Sequence, residues 1–294
     1  MKFTLRQLQV FLATAHHQNI SKAAQTLAMS QSAASSSLAE LENQFSIQLF
    51  DRVGKRLQLN SLGHSVRAQA QALLDQAKDL EHALLQQNQK SHLNIGATLT
   101  IGNYLAVHIL ADYLQDFPDS QVQLDVANTS TIVNKVANFE LDLGLIEGEI
   151  LDDRLQILPW IKDELVAFCS PQHPLAKRKK LTDKDILQQH WIVREQGSGT
   201  RQTFDRAMGG LLSELKVVLE FQHTEAIKRA VEANLGLGCI SKVALKEAFS
   251  RGDLVPLTIP QRNFERQFYF ILHKQKYRNE SLQSWLDCCR KLYS

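Results

Sequence analysis

An α/β protein with an all-α head is the fold class that the sequence predicts, on three observations. Helical periodicity runs through the first part of the chain. A long uninterrupted helical seam follows from Ser61 to Gln87. From residue 92 short apolar runs alternate with helical segments, the α/β signature. At 294 residues the chain has room for two or three domains, and 44% hydrophobic with 22% charged residues is ordinary for a globular protein.

The head is organised around Asn19–Gln44. Leu5, Leu8, Phe11, Leu12 and Ala15 lie on one face of a first helix over Leu5–His16. Ile20, Ala23, Ala24 and Leu27 give a short second helix, which Met29 and Ser30 interrupt. Ser30 can cap a third helix with Ala34, Leu38, Leu41 and Phe45 inward. Its outer face near the start is Gln31, Ser32, Ser35 and Ser36, small hydrogen-bonding residues without negative charge. Such a face can enter a major groove, donate to phosphates and reach base edges. An αα-hairpin with a solvated Ser/Gln face is the alternative. Next, IQLFDRVGKRLQLN alternates as a hairpin with Gly54 at its tip beside Lys55 and Arg56. A basic tip there can reach phosphates or stand free in water. Residues 1–61 hold six Lys/Arg against three acids, so the chain's positive excess sits in the head, as phosphate neutralisation requires.

The run FLATAHHQNISKAAQTLAMSQSAASSSLAELENQFSIQLFDRVGKRLQLNSLG closely resembles the winged helix-turn-helix of LysR-type transcriptional regulators. The resemblance implies binding to double-stranded DNA at an inverted-repeat operator, and leaves RNA polymerase open as a further partner. The DNA-facing residues are expected to be Ser21, Ser30, Gln31, Ser32, Ser35, Ser36, Arg52 and Lys55. Two departures stand out: Ser46 where the family usually has Gly, and Asn60 where it often has Thr.

Val66, Ala70, Leu73, Ala77, Leu80 and Leu84 recur at 4-3-4-3-4 steps, a heptad seam. A linker helix over 62–90 that pairs two copies is expected, because a reader of one half-site gains from a second. A solitary amphipathic helix is the alternative. The polar run Gln86–His92 marks a hinge. Homotetramer formation through the later domain is expected as well.

Residues 91–294 form the α/β part. LNIGA, QVQLDVA, LDLGLIE, ELVAFCS, HWIVR, KVVLEF, GLGCIS and QFYFILH read as strands. Helices fit Ile101–Gln115, Thr131–Asn138, Asp183–Gln189, Arg201–Leu212, Glu225–Ala233, Lys242–Ser250 and Asn279–Leu292. The LysR resemblance implies a two-lobed, periplasmic-binding-protein-like effector domain, with lobe I over 91–162 and 266–294 and lobe II over 163–265. Four strand ends run into hydroxyl-rich helix starts, around Thr98 and Thr100, Thr129 and Ser130, Ser198 and Thr200, and Thr224. Ligands of open α/β sheets bind beyond the carboxyl ends of strands, and helix starts there favour anions. Each hydroxyl could equally be a plain N-cap. Ile101, Glu147 and Glu195 complete the expected effector site; the two acids could instead be surface acids or lobe-bridging ion pairs, and Arg201 could offset them or lie on the surface.

TIGNYL, LDLGLIEG, DELV, REQGSGTR, TEAIKRAV and GLGCIS further resemble the LysR subgroup of CysL- and YeiE-type regulators, tied to sulfite and cysteine metabolism. That implies a small oxyanion such as sulfite as co-effector, and no cofactor. No Ser-His-Asp or metal-ligand constellation stands at recognisable spacing, and the GSGT loop lacks the Lys of a phosphate loop, so an enzyme is not expected. A solute-binding or enzymatic α/β protein with a helical head is the competing class. Cys169, Cys239, Cys288 and Cys289 include no CxxC pair, and read as reduced cysteines. VFLATA is too short for a signal segment, and no apolar run approaches the roughly 20 residues of a membrane span, so a cytoplasmic location is expected.

Overall fold

The computed structural model describes residues 2–54, 56–84, 92–178 and 180–293. The chain divides into two compact units, Met1–Lys90 with Lys274–Asn279, and Ser91–His273 with Glu280–Ser294.

The first unit contains α1 (Leu5–His17), α2 (Ile20–Thr26), α3 (Gln31–Phe45), a hairpin of β1 (Phe50–Val53) and β2 (Arg56–Leu59), and α4 (Ser61–Leu84). Each head helix starts on a side chain that satisfies otherwise orphaned N–H groups. Thr4 and Gln7 form a capping box, Asn19 accepts from Ser21 and Lys22, and Ser30 accepts from Ala33. The inward faces meet in one core: Leu8, Val10 and Phe11 from α1, Ala24 from α2, and Ala34, Leu38 and Leu41 from α3. Phe45 departs from its expected place. It is 43% exposed and touches the ring of Phe3 at 6.4 Å, because the helix ends there. The next residue explains the usual glycine of the family: Ser46 is the C-cap at φ 52°, a left-handed conformation that costs a side chain energy. Asn60 has its own role. Its carboxamide accepts from Gly63 N–H at the start of α4 and donates to the carbonyl of Gln48, both at 2.8 Å.

The expected heptad seam of α4 splits into two faces. Val66 and Ala70, joined by Leu74, pack into the head core. Leu62, Leu73, Leu80 and Leu84 are exposed, the last two at 62% and 74%. Head packing thus claims one stripe of the helix and leaves a second apolar stripe uncovered. Apart from His92, the expected hinge lies outside the described residues.

The second unit begins with β3 (His92–Thr98), α5 (Leu99–Tyr104), α6 (Ala106–Asp116), β4 (Gln121–Ala127), α7 (Thr129–Ala137) and β5 (Leu143–Glu147). It continues with β6 (Leu155–Cys169), α8 (Asp183–Leu187), β7 (His190–Arg194), α9 (Gly199–Ala207), β8 (Lys216–Phe221), α10 (Thr224–Glu232) and β9 (Leu237–Ser241). It ends with α11 (Lys242–Arg251), β10 (Val255–Leu257), β11 (Glu265–His273) and α12 (Glu280–Leu292). The strand order is β4-β3-β5-β11-β6-β9-β7-β8, with β10 on β6. Two lobes follow from how β6 is shared. Its residues Leu155–Glu164 pair with β11, whereas Leu165–Cys169 pair with β9 and β10. The chain therefore passes between lobes twice, where Asp163 faces Arg266 and Glu164 faces Glu265. Helix α12 returns to lobe I, where Trp285 meets Tyr113 edge-on at 5.1 Å.

Three elements differ from the sequence reading. The helix expected over Ile101–Gln115 is broken at Leu105 into α5 and α6. Strand β6 is far longer than ELVAFCS and runs through Pro159, a residue usually kept out of strand interiors. The proline is accommodated where the β11 register shifts between Gln267 and Tyr269. Strand β10 was too short to signal itself. Among the described residues no helix is long and apolar enough to cross a membrane. The four cysteines are free, and burial pushes the Cys169 thiol up to about 11 and raises Cys239 and Cys289 as well, which opposes thiolate chemistry.

A Cβ on Gly63 would lie 2.2 Å from the Leu49 carbonyl oxygen, a backbone atom that cannot swing aside. Gly63→Ala is expected to destabilise the head by roughly 1–3 kcal/mol, read as a lower melting temperature by circular dichroism.

Candidate nucleic-acid face and interlobe site

The serine-bearing surface of α3 is open. Ser30, Gln31, Ser32, Ser35 and Ser36 are exposed, while Ala34 and Leu38 beneath them are buried. Ser30 serves as N-cap and also lies 3.0 Å from Ser32 Oγ, so the helix start is ordered by its own side chains. Ser21 on α2 and Arg52 on β1 are exposed as well, and Lys55 lies outside the described residues. The acids of α3 are engaged elsewhere. Glu42 accepts from Leu49 N–H at 2.7 Å, and Glu40 from Gln7 at 3.4 Å. They hold the head together, and the free outer face stays uncharged.

In the second unit the parallel strands set the site. Pairing of β3 with β4 and β5 puts Thr98, the start of α7 and Glu147 at one end of the lobe I sheet. Pairing of β7 with β8 does the same for Glu195, Ser198 and Thr224 in lobe II. Thr98, Thr100, Thr129, Ser198, Thr200 and Thr224 are all buried; Ser130 is exposed. The two lobes touch at these ends. Ser130 N–H donates to Gly197 O at 3.2 Å, and Gly199 N–H donates to Thr129 Oγ1 at 3.1 Å. Thr129 Oγ1 in turn donates to the Glu147 carbonyl at 2.9 Å. The approach is so close that a Cβ on Gly199 would lie 1.9 Å from that carbonyl oxygen, which only glycine permits.

The capping alternative does not account for every hydroxyl. Thr98 and Ser198 occupy N-cap positions without making a side-chain cap bond. Their hydroxyls are buried with no protein partner among the described residues. A buried hydroxyl without a partner is costly, so each is a donor or acceptor held ready.

The acids of the site are neutralised by residues that the sequence reading did not select. Arg266 is almost wholly buried and meets Glu147 at 2.6 Å and Asp163 at 2.7 Å. It also donates to Thr200 Oγ1 at 3.0 Å, and Thr200 donates weakly to Glu147 at 3.4 Å. Glu195 is held by the neighbouring Arg194 through two bonds of 2.8 and 3.0 Å. Arg201, considered for this role, instead pairs with Asp205 and Glu220 and donates to the Arg194 carbonyl, half-buried on lobe II. The Ile101 side chain lies in the lobe I core. The signal available in the sequence was a lone charge at the end of an apolar strand, in WIVR and in RQFYFILH. Across the lobes Tyr104 on α5 donates to Glu225 on α10, and Lys228 lies 5.9 Å from the Tyr104 ring centre. Burial and that carboxylate both raise the phenol above its ordinary range.

This geometry joins two features in one chain, an exposed polar helix face and a two-lobed unit with buried hydroxyls where its lobes meet. The model for the bacterial regulatory helix-turn-helix protein, lysR family, matches residues 5–64, and that for the LysR substrate binding domain matches residues 86–294. The uncharacterized HTH-type transcriptional regulator YeiE of Escherichia coli K12 is 37% identical over 98% of both chains. Full-length OxyR from Pseudomonas aeruginosa has the same fold, with a TM-score of 0.76 at 20% identity over 100% of this chain and 96% of its own. The CcmR regulatory domain of Synechocystis, solved in complex with 2-PG, gives a TM-score of 0.65 at 25% identity over 69% of this chain and 98% of its own. The chain belongs to the LysR family of DNA-binding transcriptional regulators, not enzymes, and carries that family's small-molecule effector-binding domain.

Proposed function

We propose that this regulator binds an inverted-repeat operator as a dimer joined through α4 and responds to a small oxyanion, such as sulfite, held between its lobes. The observation that carries the ligand reading is the pair of buried, unpartnered hydroxyls of Thr98 and Ser198, one at each lobe's strand ends. A fully ionised oxyanion accepts hydrogen bonds and donates none, and the site offers hydroxyl donors and main-chain N–H groups at helix starts. The buried carboxylates would oppose an anion, but Arg266 and Arg194 offset them. The resemblance to the subgroup tied to sulfite and cysteine metabolism supports sulfite within this class. The 2-PG held by the CcmR domain supports a small molecule in general. Effector contacts are assigned to Thr98, Thr100, Thr129, Ser130, Ser198, Thr200 and Thr224, with Ile101 contributing main chain only.

On the DNA side, Ser21, Ser30, Gln31, Ser32, Ser35 and Ser36 read or position bases, and Arg52 and Lys55 meet phosphates. The exposed leucines of α4 supply the dimer seam, and contacts between effector domains give a tetramer. Ligand then shifts the lobes and with them the spacing of the paired readers.

Ser32→Ala and Arg52→Ala should each weaken binding to the protein's own promoter region by roughly three- to tenfold in mobility-shift assays. Specific binding untouched by both changes would remove the assignment of this face. Sulfite at about a hundred times its Kd should raise the melting temperature by about 5 °C, and Thr100→Ala or Thr200→Ala should shrink the rise. A clear rise with an aromatic acid, and none with any small oxyanion, would overturn the ligand reading. Leu80→Glu should turn the dimer into a single chain on size exclusion with light scattering; a wild-type protein that already runs as a monomer would defeat the seam.

A further inference from the structure

The ligand reading uses Thr200 and leaves unexplained why the residue touching it, Arg266, is buried on the crossover strand. The guanidinium joins three parts of the second unit. It meets Glu147 at the end of β5 in lobe I, Asp163 on the crossover of β6, and Thr200 at the start of α9 in lobe II. The connection continues through Asp163, whose other oxygen accepts from Ser241 Oγ at 2.9 Å. Ser241 is the N-cap of α11, its hydroxyl accepting from Val243 N–H at 3.2 Å. A chain of hydrogen bonds therefore runs from Thr200 to the base of α11 through the point where the two lobes are tethered, Asp163 facing Arg266 in register.

The charges in this chain are tight. One guanidinium serves two carboxylates that are almost fully out of water, and its remaining face lies 5.1 Å from the ring of Phe268. In such surroundings a change at one partner is felt by the others, because the low local dielectric screens it little. The single Thr200 proton now points at Glu147, at a long 3.4 Å. An acceptor that takes that proton leaves Glu147 to Arg266 alone and redistributes the guanidinium between Glu147 and Asp163.

We propose that Arg266 is a positioning residue that couples the hydroxyl end of the interlobe site to the crossover strands and to the capping of α11. This rests on the reading of Thr200 as part of the effector site, and adds to it the route by which occupancy reaches the hinge. A physical warrant for such a route is a measured coupling between its ends.

The test is a double-mutant cycle on the full chain that contains no ligand. Thr200→Val and Ser241→Ala alter the two ends, and Arg266→Lys alters the middle while keeping its charge. The melting-temperature shifts of the two end variants should fail to add by about 2 °C or more, and should add when Arg266→Lys is present. Additive shifts in the Arg266 background, or non-additivity that survives Arg266→Lys, would overturn the proposal. Should Arg266→Lys not fold, hydrogen exchange decides. Thr200→Val should speed exchange at the Val243 amide by roughly tenfold or more if its cap bond is loosened through the chain. Unchanged exchange there would overturn it. Failure of sulfite to bind would remove the ligand reading and leave this cycle unaffected.

Discussion

The two-lobed unit depends on a buried ion cluster placed where its strands change lobes. Strands β6 and β11 pair antiparallel across the tether, and Asp163 stands opposite Arg266 at that point. Taking a guanidinium and two carboxylates out of water is expensive, and is sustained only when their hydrogen bonds are made within the protein. Arg266 meets that demand in part, donating to Asp163 and to Thr200 at the start of α9, and it pairs by charge with Glu147 at the end of β5; Asp163 in turn receives the cap of α11. The geometry of the interlobe site follows from this. Glu147 is held still, its carbonyl receives Thr129, and Gly199 packs against that carbonyl.

The head obeys a different constraint, one of allocation on single helices. Helix α3 spends Ala34, Leu38 and Leu41 on the core and Glu42 on the Leu49 amide, which leaves its serines free. Helix α4 spends Val66, Ala70 and Leu74 on the head and keeps Leu62, Leu73, Leu80 and Leu84 outside. Both helices therefore carry one structural stripe and one available stripe, and the available stripes are the surfaces proposed above for DNA and for a second copy.

Much of this was legible along the chain because the signals are local. Serine caps, apolar spacing and the QSAASSSLAELE pattern need only neighbours within a few turns. The hydroxyl-rich strand ends were legible for the same reason. What escaped was non-local. The first half of β6 is one example, since it runs through Pro159 and a register shift in another strand accommodates that residue. The seam of α4 could not be divided between head and partner without knowing which side the head covers. Arg266 looked like a boundary residue, and Arg201 like a plausible counter-charge, because sequence spacing says nothing about which cation reaches which acid.

The sequence by itself determined the helical head, the heptad character of the linker, the α/β alternation and the family, since each rests on periodicity or on a contiguous motif. Tertiary structure alone decided the allocation of charge: Glu147 to Arg266, Glu195 to Arg194, Arg201 to Asp205 and Glu220. It also decided which hydroxyls at the interlobe strand ends remain unspent, those of Thr98 and Ser198. The physical reason is that hydrogen bonds and ion pairs are settled by distances of about 3 Å between residues far apart in the chain, and only folding sets those distances.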